Sequence, residues 1–118
     1  MILGKTLGYP GNYLCMHNIL KANAKIYHIY DTEFREQQKG QIGIVISCRG
    51  AFPKNTSDTA AVDVDFQFNC GWMAHPIFSK TGDYPAIMKQ HVAENSKLDG
   101  FSRSILPEFS PKWVQYIK

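Results

Sequence analysis

Residues 13–34 read YLCMHNILKANAKIYHIYDTEF, and after a short polar bridge residues 40–47 read GQIGIVIS. In the first stretch apolar side chains recur as Tyr13, Met16, Leu20, Ala24, Tyr27 and as Cys15, Ile19, Ala22, Ile26, Ile29, a broad stripe at helical spacing. The spacing predicts a helix from near Tyr13 to about Gln38, with Asn12 as its N-cap. Asp31 and Arg35 stand one turn apart near its end, and Lys39 followed by Gly40 supplies a cationic last turn and a left-handed stop. In the second stretch Ile42, Gly43, Ile44, Val45 and Ile46 form a short, continuous, mostly β-branched run, the pattern of a strand buried on both faces of a parallel sheet. Helix, tight turn and buried strand make an αβ unit, so the fold class read from the residues is α/β.

Outward from this unit the elements are less regular. Residues 1–11 carry Gly4, Gly8, Pro10 and Gly11 and have the composition of a loop. Residues 49–57, with Gly50, Pro53 and Asn55, also read as a loop, and Asp58 can cap a helix running toward Phe68. From Gly71 through Ile77 the pattern is irregular. Asp83 and Pro85 then provide a cap and an early helical proline for a helix to about Glu94. Residues 102–109 read as extended or coiled around Pro107, and Ser110 with Pro111 repeats the cap-then-proline start for a last helix. A single strand has nothing to pair with, so the chain reads as one incomplete segment without separate domains.

The 118 residues contain 13 Lys plus Arg, 10 Asp plus Glu, 44% hydrophobic and 13% aromatic residues, which excludes disordered, collagenous and low-complexity classes. A net charge of +3 with scattered cations lacks the one-sided basic patch of a nucleic-acid binder. No apolar run suggests a membrane span, and Met1-Ile2-Leu3-Gly4-Lys5 lacks a signal-peptide core. No nucleic-acid or membrane partner is therefore expected. Cys15, Cys48 and Cys70, none of them in a CxxC, read as small buried hydrophobes without chemistry. His17, His28, His75 and His91 lack the spacing of a zinc motif and read as structural, and no metal is expected. The glycines do not form a phosphate loop. The ten carboxylates all fall on helix surfaces, caps or loops, with none ending the strand. Asn55-Thr56-Ser57 is an N-glycosylation triplet on a loop.

The segments at residues 13–34 and 40–47 together resemble the family 1 glycoside hydrolases, the β-glucosidase family, especially its arthropod members including those called myrosinases. Further on, FNCGWMAHPIFSKTGDYPAIMK (residues 68–89) is similar to that family's GW, HPIF and GDYP run, and SRSILPEFSPKWVQYIK (residues 102–118) to its SRLP-type turn and next helix. The resemblance runs from about Tyr13 to the end of the chain in four collinear segments. It implies a partial (β/α)8 TIM barrel, with the long helix as the fourth barrel helix, residues 41–47 as the fifth strand, and the later helices as its return path. It also implies retaining hydrolysis of β-glycosides by two glutamates about 5 Å apart, one the acid/base and one the nucleophile. The family carries them in NEP and ENG motifs, and neither motif occurs here, so no catalytic residue is assigned and this chain alone is expected to be inactive. No cofactor is implied. The substrate is a β-glycoside of the complete enzyme; oligomeric state and compartment are left open.

Two departures stand out. Ala22-Asn23-Ala24 replaces the family's usual AHA, and Arg49-Gly50-Ala51-Phe52-Pro53 replaces the common strand ending of an aromatic, an acidic residue and Pro. On the C-terminal face of a barrel, Arg49 and Phe52 would then meet the aglycone, with Cys48 packed inward. An alternative reading is a non-catalytic binding or interaction module kept from the same barrel.

Overall fold

Six helices carry the architecture of the computed structural model, which describes residues 3–118, with side chains described from Pro10 onward. The first, α1 (Leu3–Ile29), passes through Tyr30–Phe34, a π-helical turn, into α2 (Arg35–Gln38). The loop expected over residues 1–11 is thus largely helical where described, and Met1 and Ile2 lie outside the described residues. Gly8 supplies the break inside it, with φ 59 and ψ −155, and Pro10 falls within the turn that follows, where a missing N–H costs little.

The π turn has a local cause. The Thr32 hydroxyl donates to the carbonyl oxygens of His28 at 2.8 Å and Ile29 at 3.4 Å, competing with the backbone for those acceptors. The helical run ends at Gln38 as the pattern predicts, but the left-handed residue is Lys39 (φ 51), not Gly40. At Gly40 a Cβ would stand 2.6 Å from the Tyr30 hydroxyl, so the Tyr30 side chain would have to shift to admit one. The turn is closed by the N–H of Lys39 donating to Arg35 O at 2.8 Å.

Among the described residues no β-strand forms, which corrects the strand expected at residues 41–47. The segment keeps the period of a strand, since Ile42, Ile44 and Ile46 are half-buried while Gly43 and Val45 are exposed, Val45 to 98%. A strand is defined by a hydrogen-bonded neighbour, and no described segment pairs with this one.

Four further helices follow: α3 (Thr59–Phe66), α4 (Trp72–Phe78), α5 (Ala86–Leu98) and α6 (Pro111–Ile117), with a π-helical turn, Gln67–Gly71, joining α3 to α4. The irregular stretch expected after Gly71 is therefore helical through Phe78, with Pro76 buried inside it. Asp58 precedes α3 as expected but does not cap it; its carboxylate accepts from the backbone N–H of Asn55 at 3.3 Å and from Asn55 Nδ2 at 3.2 Å. Asp83 likewise does not cap α5: it accepts from its neighbour's N–H, that of Tyr84, at 2.7 Å and from Lys89 Nζ at 2.7 Å. Ser110 does cap α6, accepting from the N–H of Trp113 at 3.4 Å ahead of Pro111.

The core joins α1 to the second half of the chain. Leu20 and Ala24 of α1 pack with Tyr84, Met88, Val92, Leu106, Phe109 and Ile117, and Tyr13, Met16 and Trp72 extend the cluster. The row from Tyr13 to Ala24 makes most of this contact. Most of the other row faces outward, with Ile19, Ile26 and Ile29 43%, 55% and 47% exposed. Ser96, fully buried, donates to Val92 O and accepts from the N–H of Ile105 at 3.0 Å, so that one hydroxyl ties α5 to the coil that returns toward α6.

Candidate functional site

Sequence order brings residues 47–49 back against the α3–α4 hinge, and an open groove of about 430 Å³ lies between them, lined by Met16, Ser47, Arg49, Asp65, Phe68, Asn69, Trp72 and Met73. Two contacts hold the segment there. Asn69 Nδ2 donates to the carbonyl oxygen of Arg49 at 3.0 Å, and Arg49 Nη2 pairs with Asp65 Oδ1 at 3.4 Å while remaining largely solvated. Trp72 is fixed edge-on by Tyr13, with ring centroids 5.9 Å apart. The groove thus offers aromatic surface beside a cation, a carboxylate and an amide, the combination by which ring faces and hydroxyl groups of polar cyclic ligands are held.

The third tether is covalent. Cys48 and Cys70 form a disulfide with their Cα atoms 4.9 Å apart, closing the loop that holds residues 49–69. This overturns the reading of these two cysteines as inert buried hydrophobes, and Cys48 is exposed rather than packed inward. The signal was not available in the sequence, because 22 residues of separation say nothing about Cβ proximity until α3 and the π turn fold residue 70 back over residue 48. Cys15, half-buried on α1, remains a thiol.

Of the residues singled out in the sequence, Arg49 lines the groove and Phe52 does not; Phe52 is 95% exposed beyond it. Asn55 lies on the same exposed loop. Asp65, Asn69 and Trp72, which sequence reasoning did not select, are the residues the fold adds to Arg49.

His17, His28 and His75 are held in the framework by hydrogen bonds. Nδ1 of His17 stands 3.1 Å from the Tyr84 hydroxyl, and the ring stacks on Phe109 at 4.1 Å. Burial, with Lys21 nearby, holds the His17 pKa below the ordinary 6.5, so the neutral ring is favoured. Burial also raises the Tyr84 hydroxyl well above its usual range. His28 Nε2 donates to Tyr116 O at 2.8 Å and His75 Nδ1 to Asp83 O at 2.7 Å. A second cavity, of about 290 Å³, is lined by Asp83, Lys89 and Glu108, but the Asp83 carboxylate is committed to Lys89 Nζ at 2.7 Å. Among the described residues no group of three His, Cys, Asp or Glu side chains converges as a metal site. No described helix is long and apolar enough to cross a membrane.

Residues 8–118 match the family model described as glycosyl hydrolase family 1. Human lactase/phlorizin hydrolase is 40% identical over 109 residues, which cover 90% of this chain and 6% of that protein. Myrosinase 1 of Brevicoryne brassicae is 38% identical over 111 residues, 92% of this chain and 24% of that protein. The solved structure of aphid myrosinase superposes with a TM-score of 0.87 at 38% identity, again over 92% of this chain and 24% of that one. The chain therefore spans a quarter or less of the length of these relatives.

Proposed function

The chain belongs to glycosyl hydrolase family 1, and from this premise we propose that it forms one segment of a (β/α)8 barrel that hydrolyses β-glycosides with retention of configuration. The observation that carries the reading is the agreement of 92% of this chain with 24% of aphid myrosinase, together with a strand-patterned segment at residues 41–47 that has no strand partner among the described residues. Barrel strands have two neighbours, and the outward row of Ile19, Ile26 and Ile29 is what a barrel helix turns toward the rest of its fold.

In retaining hydrolysis one carboxylate attacks the anomeric carbon to give a glycosyl-enzyme, while the other protonates the leaving oxygen and then activates water. Both glutamates lie outside this chain in the proposed enzyme. In support, Asp31, Asp65 and Asp83 are each paired with a cation, to Arg35, Arg49 and Lys89. The chain's own contribution is the rim. Arg49 would contact the leaving group from the groove beside Trp72, and Phe52, on the loop beyond, would cover an aromatic aglycone.

Two measurements test this. The pure 118-residue chain is expected to show no turnover of an aryl β-glucoside; turnover abolished by replacing one of its own ten carboxylates would overturn the assignment. In the complete enzyme, Arg49→Ala and Phe52→Ala should change kcat/KM by about tenfold between glycosides that differ only in aglycone, the scale of one modest contact. Equal effects on every aglycone, or none, would remove these residues from leaving-group selection.

A further inference from the structure

The loop closed by Cys48 and Cys70 carries Asn55-Thr56-Ser57, the only Asn-X-Ser/Thr triplet in the chain. We propose that Asn55 is an N-glycosylation site and that it is modified in the same oxidising compartment that forms the Cys48–Cys70 bridge, so that residues 48–70 make a cross-linked, sugar-bearing loop at the edge of the groove. This goes beyond the hydrolytic reading and does not depend on it.

Two independent features point to one compartment. A disulfide between residues 22 apart persists where thiols are oxidised, as in the secretory pathway, and the same pathway modifies exposed Asn-X-Ser/Thr triplets. The local geometry leaves room. Residues 51–57 are all exposed, and the first helical residue after them is Thr59. The Asn55 amide carries two N–H groups and donates to Asp58 Oδ2 at 3.2 Å, so replacing one hydrogen by sugar leaves the other able to keep that bond. The Ser57 hydroxyl, which the triplet requires, is exposed as well.

Both reactions balance. The two thiols lose two protons and two electrons to a disulfide-bearing oxidoreductase, which becomes a dithiol. Asn55 Nδ2 displaces a polyprenyl pyrophosphate from the anomeric carbon of a lipid-linked oligosaccharide: a C–N bond forms, the C–O bond to phosphate breaks, and an amide proton is lost to a base.

The test is peptide mass spectrometry on the protein from its own cells, digested without reduction after free thiols are alkylated, with and without an amidase that releases N-glycans in heavy-oxygen water. The expected result is a Cys48 peptide linked to a Cys70 peptide, and conversion of Asn55 to Asp with heavy oxygen incorporated. Expression of variants through the same pathway should show the sugar lost in Asn55→Gln and Ser57→Ala and kept in Thr56→Ala. Alkylated Cys48 and Cys70 with an unmodified Asn55 would overturn the proposal. A bridge without sugar would remove the modification site, and a sugar without the bridge would remove the cross-link, each overturning it as stated. The readout is mass, so a variant that folds poorly still reports.

Discussion

Single side chains on α1 and α5 set how the chain responds to pH and truncation. His17 is buried, 7% exposed, between Tyr84 and Phe109, and desolvation holds its folded pKa below 6.5. A histidine depressed in this way binds fewer protons folded than unfolded, so its contribution to stability is full above the unfolded pKa and is lost as pH falls. The urea midpoint is therefore expected to drop between pH 7.5 and 5.5, and to drop less in His17→Gln; an equal drop in both would exclude His17 as the titrating group. Ser96→Ala should cost about 1–3 kcal/mol, because it removes the acceptor of the half-buried Ile105 N–H. Leu20→Ala, at a fully buried position, should cost about 2–5 kcal/mol by leaving a cavity in the core. Equilibrium denaturation measures both. From their spacing the histidines offered no zinc motif and read as structural by default; the partners of His17 were not legible, because Tyr84 lies 67 residues away.

At the level of elements, the sequence disclosed what depends on neighbours a few residues apart. The helical run through Gln38 and the Ser110 cap are local, and the structure has both. The caps at Asp58 and Asp83 failed because each carboxylate found competing donors, the Asn55 amide and the Lys89 ammonium, that propensity does not count. The strand at residues 41–47 failed differently: its alternation is present, but a ladder needs a second strand, and none forms among the described residues. Groove residues Asp65, Asn69 and Trp72 were invisible for the same reason as the disulfide, being set by how α3 and α4 turn back over residues 47–49. The bridge, closing a separation of 22 residues, should add about 3 kcal/mol by restricting the unfolded chain. Reduction is expected to lower the thermal midpoint and to free the Arg49 segment for proteolysis; unchanged cleavage within residues 48–70 would show that Asn69 and Asp65 hold it unaided.

The whole molecule is looser than its length requires. Its radius of gyration is 16.5 Å, against about 13.5 Å for a compact domain of this size. The excess comes with an apolar helix row turned outward, Val45 and Phe52 almost fully exposed, and a strand-patterned segment that pairs with no strand among the described residues. Each of these finds a partner if the chain is one segment of a family 1 barrel, and that placement is the central claim. It is tested most directly by amide hydrogen exchange over residues 41–47, measured in the isolated chain and in a chimera where residues 8–118 replace the matching segment of aphid myrosinase. In the chimera the amides of residues 41–47 should exchange at least a hundredfold more slowly than in the isolated chain, because barrel strands have hydrogen-bonded neighbours on both sides. Equally fast exchange in a folded, monomeric chimera would contradict the account.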